Sequence, residues 1–256
     1  MTDKVSGVAS GVAVRRGGWI VPTLLTVCGL AILIGLGTWQ LERKVWKENL
    51  IATITARLTA VPAVGVPPRS EWQSLDRAQT EFRRVSVPVE FLNDQEALVY
   101  TAGSALRPDV KGIGYWVFTP ARLPGGSIVV VNRGFVPIER KEPATRSAGE
   151  VSGTVDIVGV LRWPDQRGMF TPNDEPQHNI WYVRDPEVIG PAKHWGTVAP
   201  FFIDMEAPQP PGGLPRAAPA ELRIPNDHLQ YALTWFGLAL TLVGVYIVYM
   251  FSRFKR

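Results

Sequence analysis

The chain carries one cysteine, Cys28, and three histidines, His178, His194 and His228, among 256 residues. A lone cysteine forms no intramolecular disulfide and no CxxC or CxxxC pair, which excludes dithiol exchange and a thiolate copper carrier. No two of the histidines stand at metal-ligand spacing, and HExxH, GxSxG, a P-loop and GxGxxG are all missing. With no visible nucleophile, base or metal cluster, the chain is expected not to be an enzyme. The net charge is only +4, and the central region has no Lys/Arg block of the kind that marks a nucleic-acid surface. No nucleic-acid partner is expected.

Charge is missing altogether from two long apolar runs, Trp19 to Leu41 and Leu229 to Ser252. Each exceeds the roughly 20 residues needed to cross a bilayer core. The expected fold class is therefore an α+β membrane protein. Two transmembrane helices, 19–41 and 229–251, form a hairpin around a mostly antiparallel β domain spanning 42–228, with short tails at 1–18 and 252–256. The lipid bilayer is its first partner. Arg15 and Arg16 give the first run a basic flank, but its apolar stretch is too long for a signal peptide and GLGTWQLERK offers no A-x-A-like cleavage site, so it reads as an uncleaved anchor. RRGGWIV is a poor twin-arginine match. Lys4, Arg15 and Arg16 at one end and Arg253, Lys255 and Arg256 at the other place both termini in the cytoplasm. Arg43, Lys44 and Lys47 oppose this at the first span, which leaves the second span and the tails to decide an extracytoplasmic domain. Cys28 lies within the first span, so that domain contains neither disulfide nor thiol.

Between the spans, Val45, Leu50, Ile54 and Leu58 fall at helical spacing, and the first helix is expected to continue past the membrane until VPAVGVPPRSEW breaks it. The runs RRVSVPVEFL, QEALVYT, GYWVFTP, SIVVVNRGFVP, TVDIVGVLRW, HNIWYVRD and APFFIDME then read as strands, rich in β-branched and aromatic residues and separated by Gly, Pro, Asn and Asp. IERKEPATRSAGEVSG reads as a turn or short helix, and DPEVIGPAKHW as a helix limited by Pro191. Residues 207–219, APQPPGGLPRAAP, read as an extended Pro/Gly-rich linker to the second span.

His228 stands at the mouth of the second span. On a helix, Tyr231, Ala232 and Trp235 share its face at i+3, i+4 and i+7. An aromatic face with one small residue suits a flat apolar ligand. A hairpin sets this end beside Thr38, Trp39, Gln40, Arg43 and Lys44 of the first span. Histidine is an axial haem ligand, an aromatic wall packs a macrocycle, and Arg or Lys answers propionates. Singly, each residue has a plainer reading: Trp39, Tyr231 and Trp235 as an interfacial aromatic belt, Arg43, Lys44 and Lys47 as headgroup anchors, Asp227 with Gln230 as a helix cap.

GTWQLERKVWKENLI, GYWVFTP, IVVVNRGFVP, FTPNDEPQHNIWYVRD and PNDHLQYALTWFGLA, in this order from about Gly35 to the second span, resemble the surfeit locus protein 1 family. The resemblance implies an assembly factor for haem-copper cytochrome c oxidase, acting where haem a enters the catalytic subunit. It further implies transient haem a as cofactor and His228 as ligand to its iron, from the bacterial members. The implied partners are the oxidase catalytic subunit and haem a synthase, and the implied location is the bacterial inner membrane with a periplasmic domain. The expected cofactor-binding residues are His228, Tyr231, Trp235, Trp39, Gln40, Arg43 and Lys44. His178 and His194 carry no match, and Arg133, Gly134, Trp181 and Tyr182 are motif positions without an assigned role. A scaffold that binds the nascent subunit without haem stays open as the alternative.

Overall fold

A computed structural model describes residues 18–104, 107–221 and 225–255. Lys4, Arg15, Arg16 and Arg256, on which the expected orientation partly rests, lie outside the described residues. The chain divides into two compact units. One is Asn49–Pro225, and the other combines the residues up to Glu48 with those from Asn226 onward.

Helix α1, Ile20–Thr59, runs without interruption for 40 residues. At 1.5 Å per residue that is about 60 Å, roughly twice the hydrocarbon core of a bilayer. The helix therefore outlasts the membrane, as the periodicity past Leu41 predicts. Val45 and Leu50 stay exposed, however, and burial begins only at Ile54 and Leu58. These two, one turn apart, pack with Val160, Phe82 and Ala220. Arg57 ties the same end down by donating to the carbonyl oxygens of Ala78 and Glu81 at 2.8 and 2.9 Å.

The segment expected to be a breaker contributes a two-residue edge strand, β1, Ala63–Val64, and the buried Trp72. A single turn, α2, Arg77–Thr80, leads to β2, Arg84–Phe91, and β3, Ala97–Thr101. Strands β4, Gly114–Arg122, β5, Ile128–Pro137, and β6, Thr154–Arg162, follow. After them come β7, Ile180–Trp181, helix α3, Pro186–Ala192, and β8, Val198–Ala207. The sheet order is β1-β2-β6-β8-β5-β4-β3-β7, and a short additional pairing of Glu90 and Phe91 with Arg122 and Ala121 joins β2 to β4. Strands β2, β6, β8, β5 and β4 thereby close into a barrel, which leaves them no free edge. Pairing is antiparallel apart from β1–β2, β3–β7 and β5–β8, so the mostly antiparallel expectation holds.

Period-2 alternation fills the barrel. Val85, Val87, Val89 and Phe91 of β2 point inward to meet Ile157, Leu161, Phe201 and Ile203. Strands β4, β5 and β8 are buried on both faces, which is why they read as continuous apolar runs. Their outer residues Trp116, Phe118, Val130 and Phe202 form a second core with Trp181, Ile189 and Trp195. Helix α3 covers this layer. Asp185 caps it by accepting from the Glu187 N–H at 2.9 Å, a contribution of about 1 kcal/mol.

Two stretches depart from expectation and a third meets it. HNIWYVRD yields a strand of only two residues, because the Tyr182 N–H donates to the Asp174 carboxylate at 2.8 Å instead of continuing a ladder. IERKEPATRSAGEVSG forms two 3-10 segments, Ile138–Arg140 and Pro143–Gly149, in line with the turn or short helix expected there. The Pro/Gly-rich stretch 207–219 is not a free linker. Arg216 bridges Phe135 through both backbone groups, Ala217 is fully buried, and Leu214 packs beside Tyr115 and Val136. Gly134 (φ +124°) and Gly149 make this docking possible, since a Cβ at either would fall 2.2 Å from the Arg216 oxygen or 2.0 Å from the Leu214 oxygen.

The second unit contains the first part of α1 and α4, His228–Phe254. Both helices are long and apolar enough to span a membrane, and only 6% of either apolar window is buried within the structure, unlike the core helix of a soluble protein. Hydroxyls in these stretches bond within their own helices. Thr26, Thr38, Thr234 and Thr241 donate to carbonyl oxygens four residues earlier, as an apolar solvent requires.

Candidate functional site

The spans pack antiparallel through small residues. Ala232 and Ala239 of α4 are buried, Gly29 lies against Leu242, and a Cβ on Gly37 would sit 2.5 Å from the Phe236 ring. Close backbone approach of this kind is how helices associate where no hydrophobic driving force separates them from lipid. The hydroxyls of Thr23 and Tyr246 hydrogen-bond at one end. At the other, His228 Nδ1 lies 2.7 Å from Gln40 Oε1. The expectation that the hairpin brings His228 to Gln40 is met.

With the Gln40 amide turned oxygen-inward, the contact suits an Nδ1 that carries the ring proton and donates it, since an amide oxygen only accepts. In the tautomer protonated on Nδ1 the ring lone pair is on Nε2. His228 is half-buried rather than sealed. A half-exposed imidazole in that tautomer has the chemistry of a haem-iron ligand.

The other expected residues are arranged less simply. Ala232 is only 1% exposed, so that part of the His228 face is closed instead of being open to a ligand. The stripe at i and i+4 is the one α4 uses to pack. Tyr231 and Trp39 remain 56% and 53% exposed, and Trp235 is half-buried. The Arg43 guanidinium stacks 3.8 Å over the Trp46 ring, and Lys44 pairs with Glu48 at 2.7 Å. Asp227 makes no side-chain cap bond, so the capping pattern expected with Gln230 is not formed. Its carbonyl accepts from the Tyr231 N–H instead, and the Asn226 side-chain oxygen next to it is buried without a hydrogen-bond partner.

Sequence reading singled out no site in the barrel, and most of its polar residues are engaged in architecture, although Thr119 Oγ1, Arg133 Nε and Trp181 Nε1 are buried without a hydrogen-bond partner. Arg133 is 2% exposed, donates to Asn93 Oδ1 at 2.8 Å and to the Gly149 carbonyl, and is pushed down to about 10 by burial. Arg146 and Glu96 form a buried ion pair. Trp181 belongs to the second core, and the Tyr182 hydroxyl donates to Glu175 at 3.0 Å, which pushes the phenol up. These contacts supply roles for the unassigned motif positions. A cavity of about 610 Å³ beside Asn93 is lined by both signs of charge, Glu96 and Glu150 against Lys141 and Lys193. His178 is paired with Glu175 on the surface, and His194 turns the chain after α3 at φ +58°. Among the described residues no three metal-ligating side chains come together.

Comparison with known proteins decides the family. Residues 27–240 match the model of the SURF1 family. The chain belongs to the SURF1 family. It is 36% identical over 245 residues to a SURF1-like protein of Monosiga brevicollis, covering 92% of this chain and 89% of that one. It is 34% identical over 218 residues to Surfeit locus protein 1 of Rattus norvegicus, covering 81% and 69%. The human Surfeit locus protein 1 is likewise 34% identical, over 216 residues covering 80% and 69%. The SURF1 match extends through Gly37, Gln40, His228 and Phe236, so the helix-pair mouth lies within the family region as the barrel does.

Proposed function

We propose that this chain is an assembly factor for a haem-copper cytochrome c oxidase and that the mouth of its helix pair holds haem a in transit. SURF1 membership supports the oxidase-assembly role in general. The finer reading rests on one observation: the single histidine of the helix-pair unit is half-exposed at the mouth with its Nδ1 2.7 Å from Gln40 Oε1. When bound, haem a would supply an iron able to take an imidazole ligand, a long apolar tail and two carboxylates. His228 would hold the iron through a ring nitrogen, Tyr231, Trp235 and Trp39 would supply apolar contact, and Arg43 and Lys44 would answer the propionates. A site at the bilayer boundary lets the tail stay in lipid while the carboxylates reach water. The proposed orientation has both termini in the cytoplasm and the barrel outside. The oxidase catalytic subunit would receive haem a and haem a synthase would supply it.

A scaffold that binds no haem is favoured by a different observation. Met169 and Phe170, each 92% exposed, crown a loop held shut by Arg167 on Asp174 and by the Gly168 N–H on Thr171 at 3.0 Å. Such a fixed apolar tip suits contact with another protein. The test is complementation of a strain lacking the chain. Wild-type protein is expected to restore the haem a content of the oxidase and His228→Ala is not. Full restoration by His228→Ala favours the scaffold.

A further inference from the structure

We propose that Gln40 is a positioning residue that holds His228 in the tautomer and ring orientation needed to present Nε2 as a free donor atom. This deepens the haem reading and rests on it for its purpose, but the hydrogen bond itself stands without haem. Free histidine prefers the opposite tautomer, with the proton on Nε2, which would leave no lone pair pointing outward. At 2.7 Å the Gln40 carbonyl oxygen captures the Nδ1 proton and reverses that preference. Both side chains are half-buried, so water competes weakly for the bond and each position of the proton has a different energy.

Gln40 is well placed to do this reliably. It lies three residues beyond Gly37, whose missing Cβ allows the Phe236 ring to sit against α1. Ala232, one turn beyond His228, is likewise 1% exposed. The approach of the two backbones thus sets the distance between residues 40 and 228. Support of this kind behind a metal-bound imidazole, from a carbonyl or carboxylate, fixes orientation and raises ligand basicity, and its loss typically weakens metal affinity by about 10–100-fold. A neutral amide acceptor confers less basicity than a carboxylate. That fits a carrier, which must release what it binds.

The experiment uses the full chain in detergent or lipid nanodiscs. Nitrogen-15 NMR of the haem-free protein reports which His228 nitrogen carries the proton, and added haem a is followed by its low-spin absorption and midpoint potential. In the wild type the proton is expected on Nδ1, and Gln40→Leu is expected to return His228 to the Nε2-protonated form and to weaken haem a retention at least tenfold. Gln40→Glu keeps an acceptor. It should retain both the tautomer and the haem a, with a lower midpoint potential than wild type because the imidazole becomes more basic. A wild-type His228 protonated on Nε2 overturns the inference, because Gln40 would then be donating through its amide nitrogen. Equal tautomers in wild type and Gln40→Leu overturn it too. If the tautomer responds as expected but neither wild type nor any variant binds haem a, the haem reading fails while the positioning of His228 by Gln40 stands.

Discussion

The barrel and the helix pair are stabilised by opposite means. The barrel excludes water from two apolar layers and closes its polar groups on one another, with Arg146 on Glu96 and Arg162 on Asp204 at 3.2 Å. The helix pair buries almost nothing within itself. Its contacts are a few small residues, one Thr–Tyr hydroxyl pair and the His228–Gln40 bond. A residue in the barrel is therefore constrained by packing on every side, whereas a polar side chain in the helix pair is conspicuous because little surrounds it. Polar groups in a near-lipid setting are expensive and mark function more often than the ion-paired groups of a barrel. That contrast points to His228 rather than to the more numerous charged residues outside.

Substitutions separate the two regions by size of effect. The largest is Glu96→Ala, which strands the buried Arg146 guanidinium and should cost about 3–5 kcal/mol. Its readout is the thermal loss of the sheet amide I band of the full chain in detergent, with a drop of roughly 10 °C. Next is Gly134→Ala. The φ of +124° and the Arg216 backbone 2.2 Å from the new Cβ should displace residues 214–217, at about 2–4 kcal/mol. The band should melt earlier and protease should reach the 207–219 stretch. Gly37→Ala acts on the other region, pressing on the Phe236 ring and costing about 1–3 kcal/mol of helix pairing. It should disturb the His228 nitrogen signals and leave the sheet melting temperature unchanged. A shift of both would mean that the two regions are energetically one.

The smallest effect is on pH. The Arg107 guanidinium, hydrogen-bonded at 2.8 Å, holds the Asp109 carboxyl below its ordinary value of 3.8. A carboxyl lowered on folding stabilises the fold above that value and loses the contribution as pH falls through the lower folded-state value. Asp109 is 40% exposed, so screening keeps the term under about 1 kcal/mol. Asp109→Asn should lower the melting temperature slightly above pH 3.8 and converge with wild type in stronger acid.

Both spans, the continuation of α1 and the main strands were legible because apolar run length and two-residue alternation are local signals. Barrel closure was not, since it depends on Glu90 and Phe91 meeting Arg122 and Ala121 across the sequence. The docking of 207–219 was missed for a related reason. An irregular Pro/Gly chain has no period, and its burial depends on Gly134 and Gly149, far away in sequence. At the candidate site, His228 and Gln40 could be placed together from antiparallel pairing alone. The burial of Ala232 and the stacking of Arg43 on Trp46 could not, because they depend on how α4 is rotated and on side-chain choices that helical spacing leaves free.

The central claim, that His228 ligates haem a at the mouth of the helix pair, is tested most directly by the absorption spectrum of the purified full chain. Wild type and His228→Ala are produced in cells that make haem a, and haem a per chain is measured for each. Low-spin haem a in the wild type and its loss in His228→Ala, with the variant still inserted in the membrane, is the predicted result. Equal haem a per chain in the two proteins contradicts the claim.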